Sequence, residues 1–270
     1  MIDAPPLVYG TAWKDAATAD CVDRALAAGF RGIDTANQRK HYHEAGVGHG
    51  LRGWLAAGRR DELWLQTKFT YRDGQDDRLP YQADAPIAHQ VAQSFASSLD
   101  HLGVARIDSL LLHGPSRGDG LGRDDHEAWR AMEALVGDGR LARIGISNVT
   151  AAQVDALAAF AAVAPSYVQN RCYASRGWDA SVREACRRHG IAYQGFSLLT
   201  ANRAVCANAA VVALAKRRGL TVAQVVLRYA QLLGMIVLSG TTSADHAAAD
   251  VAIAGIELSA AEREIIATAR

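Results

Sequence analysis

The stretch IDTANQRKHYHEAGVG, from Ile33 to Gly48, decides how the chain is read. It opens as a short apolar run that ends in a carboxylate, Asp34. A dense polar cluster follows, Arg39, Lys40, His41, Tyr42, His43 and Glu44, and then a helical pattern begins. Folding alone does not require such a cluster. A strand that ends in an acid and passes into a titratable loop is where a parallel α/β protein places its chemistry, because loops at the carboxyl ends of strands are held by a rigid scaffold.

On both sides of this stretch, short β-rich apolar segments alternate with longer segments of helical period. The strand candidates are 7–13, 31–36, 63–69, 107–113, 143–148, 166–172, 191–197 and 235–240. Between them, Val91, Phe95, Leu99 and Leu102 fall on one helical face, as do Trp129, Met132, Leu135 and Val136, and again Val154, Leu157, Ala158 and Ala161. Asp138-Gly139, Gly190 and Gly219 are placed to stop helices, and Thr221 to cap the next one. Eight such strands imply a single-domain α/β protein over residues 1–270, a closed (β/α)8 TIM barrel. A doubly wound sheet is the competitor, but YGTAWKDA supplies one glycine where a dinucleotide-binding turn needs several. The loop from Thr70 to Ala85 is the longest stretch without a pattern, and loops of that length often cover a site.

The chain has 270 residues, half of them hydrophobic, and a formal net charge of +1, so it has ample material for a large core and no polyanion-binding balance. Nucleic acid is not expected as a partner. Cys21, Cys172, Cys186 and Cys206 lie far apart with no chelating or redox spacing, and read as reduced thiols. No signal-peptide pattern and no membrane span is recognisable, which makes a cytoplasmic protein the expectation.

In the barrel reading, Asp34, Lys68 and His113 stand at the carboxyl ends of three successive strands, with Tyr42 in the loop after the second. Singly, each has an ordinary structural explanation: a cap, a loop ion pair, a core histidine, a packing aromatic. Jointly, acids and bases at three consecutive strand ends are hard to obtain from packing. Such a set suits proton donation to a carbonyl oxygen. A free tyrosine titrates near ~10, and a cation held by a carboxylate would lower it. Tyr42, Lys68 and Asp34 supply those roles in that order, and His113 would hydrogen-bond the substrate oxygen.

The same residues carry a resemblance. FRGIDTA followed by HEAGVG, WLQTK, LGVARIDSLLLHGP, AWRAMEALVGDGRLARIGISN and LTVAQVVLRYAQLLGMIVLSGTT, in that order, resemble the signatures of the aldo-keto reductase superfamily over nearly the whole chain. The resemblance implies the (β/α)8 barrel and an enzyme that reduces aldehyde or ketone carbonyls by hydride transfer from NADP(H), with NAD(H) as the alternative cofactor. It maps the catalytic set onto Asp34, Lys68 and His113, with Tyr42 as general acid on a loop two residues longer than the common pattern. For the cofactor it implies Ser147 and Asn148 at the nicotinamide carboxamide, together with Asn170 and, as the lesser candidate, Gln169. It also implies Phe196 stacking on the ring, with Ser197 and Leu199 along the pyrophosphate.

Where relatives carry a lysine and an arginine that clamp a 2′-phosphate, this chain has Gly240 and His246, which leaves Thr241, Thr242 and a helix N-terminus to attract phosphate. Together with Asp250 in place of an adenine-contacting asparagine, this implies a weakened preference for NADPH. Trp13 is placed to line the substrate pocket, and Gly114, where a tryptophan is frequent, to open it. Arg39 and His41 are candidates for attracting an anionic substrate, unless they belong to a solvated loop. A metal site in HYHE lacks a third ligand and is not expected. The partner is then a small-molecule carbonyl compound, and the chain a monomer or weak homo-oligomer. A cofactor-binding regulatory or sensor barrel with little turnover is the alternative, kept open by the altered tyrosine loop.

Overall fold

The computed structural model describes residues 3–269. Eight parallel strands close in chain order: β1 (Leu7–Gly10), β2 (Gly32–Asp34), β3 (Trp64–Phe69), β4 (Ile107–Leu112), β5 (Leu141–Ser147), β6 (Tyr167–Arg171), β7 (Ala192–Phe196) and β8 (Ile236–Ser239). β8 pairs back onto β1 through Leu7↔Val237 and Tyr9↔Ser239, so the sheet has no edge and the doubly wound competitor is excluded. All eight strand candidates are strands here, most of them trimmed at their ends where the chain turns into the rim loops, while β5 begins two residues earlier, at Leu141.

The helical layer consists of α1 (Thr18–Ala28), α2 (Glu44–Ala56), α3 (Ile87–Leu102), α4 (Arg123–Gly137), α5 (Ala151–Phe160) and α6 (Ala180–Arg188). After β7 come α7 (Arg203–Ala207), α8 (Ala209–Arg218) and α9 (Val222–Leu232), and after β8 come α10 (Ala244–Val251) and α11 (Ala260–Thr268). The apolar stripes face the sheet: Val91, Phe95 and Leu102 of α3 and Trp129, Met132 and Leu135 of α4 are buried in one continuous core. Gly219 ends α8 in the left-handed conformation, and Thr221 caps α9 in a reciprocal box with Gln224. Among the described residues no helix is long and apolar enough to cross a membrane.

The strand period divides each strand between two environments. In β3, Gln66 and Lys68 turn into the barrel while Leu65, Thr67 and Phe69 turn toward the helices; all six residues of the strand are buried. The loop after β3 does not cover the barrel mouth. It braces the loop after β2: Gln75 Nε2 donates to the Asn37 carbonyl at 2.8 Å, and Gln38 Nε2 donates to the Gly74 carbonyl at 2.6 Å.

Helices α2 and α3 approach closely at Gly48, where any Cβ would overlap the His101 carbonyl of α3. Gly53, in the same helix, faces open space. Gly48→Ala is therefore expected to cost about 1–3 kcal/mol through overpacking. Gly53→Ala is expected to stabilise by roughly 0.5–1 kcal/mol through helix propensity. Urea unfolding of the two variants measures both; equal effects would contradict the packing.

Candidate active site

A cavity of about 670 Å3 opens at the carboxyl ends of the strands. Asp34 closes its floor. The Lys68 ammonium donates to both Asp34 oxygens at 2.7 Å and to the Thr35 carbonyl at 2.8 Å. Asp34 Oδ1 also accepts from Gln66 Nε2 at 2.7 Å and Gln169 Nε2 at 3.0 Å, and Gln194 and Ser109 complete the network inside the barrel. Burial draws the Lys68 ammonium below its usual value, against the Asp34 carboxylate, which favours the charged form.

Tyr42 and His113 face each other across the cavity with ring centres 5.9 Å apart, edge to face. The Lys68 ammonium lies 5.2 Å from the centre of the Tyr42 ring. The structure thus brings Asp34, Tyr42, Lys68 and His113 together, on three strand ends and one loop. It departs from the sequence expectation on the tyrosine's acidity. Burial raises the Tyr42 hydroxyl above its ordinary value and the Asp34 charge adds to that, while the hydrogen bonds of Lys68 go to β2 and Thr35. Tyr42 therefore holds its proton at neutral pH.

His113 is held neutral. Burial, with the Lys68 charge behind it, brings its titration down to about 3. Its Nδ1 lies 2.6 Å from the Thr70 hydroxyl. If that hydroxyl donates, the remaining ring proton sits on Nε2, directed away from Thr70.

Further around the rim, Ser147, Asn148, Gln169, Phe196, Ser197, Leu199, Gly240, Thr241, His246 and Asp250 all line the cavity. Trp13, Asn148 and Ser197 adopt left-handed backbone conformations, with φ of 61°, 56° and 56°, a concentration of unusual geometry at the cavity wall. Asn148 Nδ2 donates to the His113 carbonyl at 2.8 Å. Among the described residues nothing donates to Asn148 Oδ1 or Gln169 Oε1. Two free acceptors beside the aromatic face of Phe196 form a cradle suited to a planar ring bearing a primary amide.

Three assignments are corrected. Asn170 does not face the cavity: neighbouring residues of a strand face opposite ways, and Asn170 is turned outward, bonded to the Val149 backbone and to Asp179 Oδ2 at 2.9 Å, while Gln169, the lesser candidate, lines the cavity. Thr242 is exposed outside the cavity wall, because the turn before α10 sends only Thr241 inward. Arg39 lies on the far side of its loop, donating to the Tyr42 carbonyl at 3.2 Å, so it does not reach the cavity. At Gly114, where an opening was expected, no side chain closes the cavity; a Cβ there would sit 3.7 Å from Asn148 Cβ. Trp13 and His41 do form the mouth, with ring centres 4.1 Å apart and Trp13 70% exposed.

Sequence reasoning missed Lys14. Its side chain is buried, donates to the Gly240 carbonyl at 2.6 Å, and lies 3.5 Å from where a Cβ at position 240 would stand. A lysine directly after Trp13, on the segment that leaves β1, was the available signal. Among the described residues no group of three or more His, Cys, Asp or Glu is arranged to hold a metal ion.

A (β/α)8 barrel with an acid–base cluster at the carboxyl rim defines the class of barrel enzymes. The family model described as "Aldo/keto reductase family" matches residues 6–270, and the chain belongs to that family. Membership supports NAD(P)H-dependent oxidoreductase chemistry on carbonyl compounds. The chain is 30% identical over 258 residues to a methylglyoxal reductase, DkgB, of Yersinia pestis, covering 94% of this chain and 88% of that one. It is 28% identical over 221 residues to a glyoxal reductase of Bacillus subtilis, covering 81% and 71% of the two chains. Among solved structures, an aldo/keto reductase from Brucella melitensis superposes with a TM-score of 0.82 at 26% identity, covering 97% of this chain and 94% of that one.

Since His113 is neutral in the fold and takes up a proton near 6.5 in the unfolded chain, its contribution to stability is complete above that pH and is lost as the pH falls toward about 3. His113→Gln should therefore flatten the loss of stability between mildly acidic and neutral pH, measured as denaturation midpoints across pH. An unchanged slope would mean that His113 is not held neutral.

Proposed function

We propose that the chain is an NAD(P)H-dependent carbonyl reductase in which Tyr42 is the general acid and His113 orients the substrate oxygen. The observation that carries this is the meeting of a proton-holding Tyr42 hydroxyl and a neutral His113 above the buried Asp34–Lys68 pair. The bound cofactor supplies hydride to the carbonyl carbon. His113 Nε2–H donates a hydrogen bond to the carbonyl oxygen. As negative charge develops there, the Tyr42 hydroxyl transfers its proton to that oxygen, giving an alcohol and a tyrosinate. The Lys68 ammonium beneath the Tyr42 ring offsets the tyrosinate charge, and Asp34 holds Lys68 in place.

Phe196 would stack on the nicotinamide, while Asn148 Oδ1 and Gln169 Oε1 would accept from its carboxamide N–H groups. Ser147, which donates to the Gln169 carbonyl at 2.6 Å, would hold these two in register. Lys14 is a buried cation with no carboxylate partner among the described residues, and is suited to a phosphate passing Gly240 and Thr241. At the α10 end of the cavity the Ser243 side chain already takes the His246 amide, and Asp250, whose titration burial raises, offers a carboxyl group. Gly240 and His246 in place of a lysine and an arginine, with the Asp250 carboxyl group nearby, support a weaker preference for NADPH over NADH than a clamp of lysine and arginine would give. The ratio of kcat/KM with the two cofactors tests this.

The named relatives suggest small aldehydes and dicarbonyls as the first substrates to try. One observation favours the second reading, a cofactor-binding barrel with little turnover: Lys68 directs its hydrogen bonds at Asp34 and Thr35 rather than at Tyr42. Binding of reduced nicotinamide without oxidation by any carbonyl would select it.

Tyr42→Phe is expected to lower kcat by about 100- to 10,000-fold. Cofactor affinity should stay near wild type, because only a hydroxyl used in the chemical step is lost. Following nicotinamide absorbance with methylglyoxal, alongside a direct binding titration, reads both. Wild-type turnover in this variant would refute the assignment.

A further inference from the structure

Asp34, Lys68 and His113 are fixed by strands, but Tyr42 rides on the loop between β2 and α2. The bonds at Tyr42 itself are local to that loop: its amide donates to the Gln38 carbonyl at 3.0 Å, and its carbonyl accepts from Arg39. The start of the loop is moored to α3 by Asn37, whose Nδ2 donates to the Ser94 carbonyl at 2.9 Å and to Ser98 Oγ at 3.2 Å. The end of the loop is moored by Glu44.

Glu44 is the first residue of α2 and is 3% exposed. Its Oε1 accepts from the Thr67 hydroxyl of β3, and its Oε2 lies 3.1 Å from His101 Nδ1 of α3. Thr67 directly precedes Lys68, and the two face opposite sides of one strand. Glu44 therefore hooks the tyrosine loop, two residues after Tyr42, onto the residue next to the ammonium. A buried carboxylate is costly unless both oxygens are satisfied, even at a helix N-terminus where the dipole favours it, and here Thr67 and His101 take one oxygen each.

We propose that Glu44 is a positioning residue, bridging Thr67 and His101 so that the Tyr42 hydroxyl is held over Lys68 and toward the oxygen that His113 contacts. The role rests on the reading of Tyr42 as the acid. It acts on the chemical step and not on cofactor binding, because its contacts lie behind the loop, outside the cavity that Phe196 and Gln169 line.

The test is steady-state reduction of methylglyoxal with saturating reduced nicotinamide, with cofactor Kd and thermal unfolding measured on the same preparations. Glu44→Ala is expected to lower kcat by about 10- to 100-fold, the scale of a displaced catalytic group. KM and cofactor Kd should stay within about twofold of wild type, since neither site is touched. Glu44→Gln, which keeps an acceptor for Thr67, should restore most of kcat. Thr67→Val, nearly isosteric and lacking the hydroxyl, should lower kcat in the same direction even if Glu44→Ala folds poorly. Wild-type kcat in folded Glu44→Ala and Thr67→Val beside an inactive Tyr42→Phe would overturn this role and leave the Tyr42 assignment standing. Full activity of Tyr42→Phe would overturn both. A fall in stability and cofactor affinity at unchanged kcat would reduce Glu44 to a structural brace.

Discussion

The ion pair between Lys68 and Asp34 is the constraint on which the rest of the site depends. Both groups are almost completely buried, and two charges taken from water are costly unless every hydrogen bond is made. Here they are: three donor contacts leave the ammonium, and Gln66 and Gln169 add theirs to Asp34. The barrel interior beneath the cavity is therefore polar where packing alone would make it apolar. That departure marks the floor of a site. It also sets the electrostatics above it, since the Lys68 charge helps keep His113 neutral while the Asp34 charge helps keep the proton on Tyr42.

At neutral pH the Tyr42 hydroxyl consequently keeps its proton and the His113 ring carries no charge, so the two groups face the cavity as neutral polar side chains. The mouth is aromatic, formed by Trp13 and His41 with their rings tilted at 36° to each other, and Arg39 is withdrawn behind the loop.

The fold was legible because strand and helix periods leave a mark on every segment, and chain-order closure needs only eight such segments. Asp34, Lys68 and His113 were legible because strand ends are rigid and their positions follow from the strand boundaries. Asn170 was ranked ahead of Gln169 because a resemblance gives order but not facing; along β6 it is Gln169 that faces inward, paired to the network there. Gln66 and Gln194 were passed over as strand residues, although a glutamine in the middle of a buried parallel strand is itself a signal. Lys14 was hidden because its importance comes from Gly240, far away in the chain and brought near only when β8 closes on β1. The Tyr42 loop could not be placed from spacing, since its course depends on bonds to α3 and to the loop after β3.

The most direct test of this account separates the stability of the buried pair from its use, by comparing Lys68→Met with Asp34→Asn/Lys68→Met in urea unfolding and in methylglyoxal reduction. Lys68→Met alone should cost about 3–5 kcal/mol, because it leaves a buried carboxylate without its partner. The double variant should regain most of that stability and still lack turnover. A double variant that turns over carbonyl substrate at the wild-type rate would contradict the claim that this pair organises the chemistry.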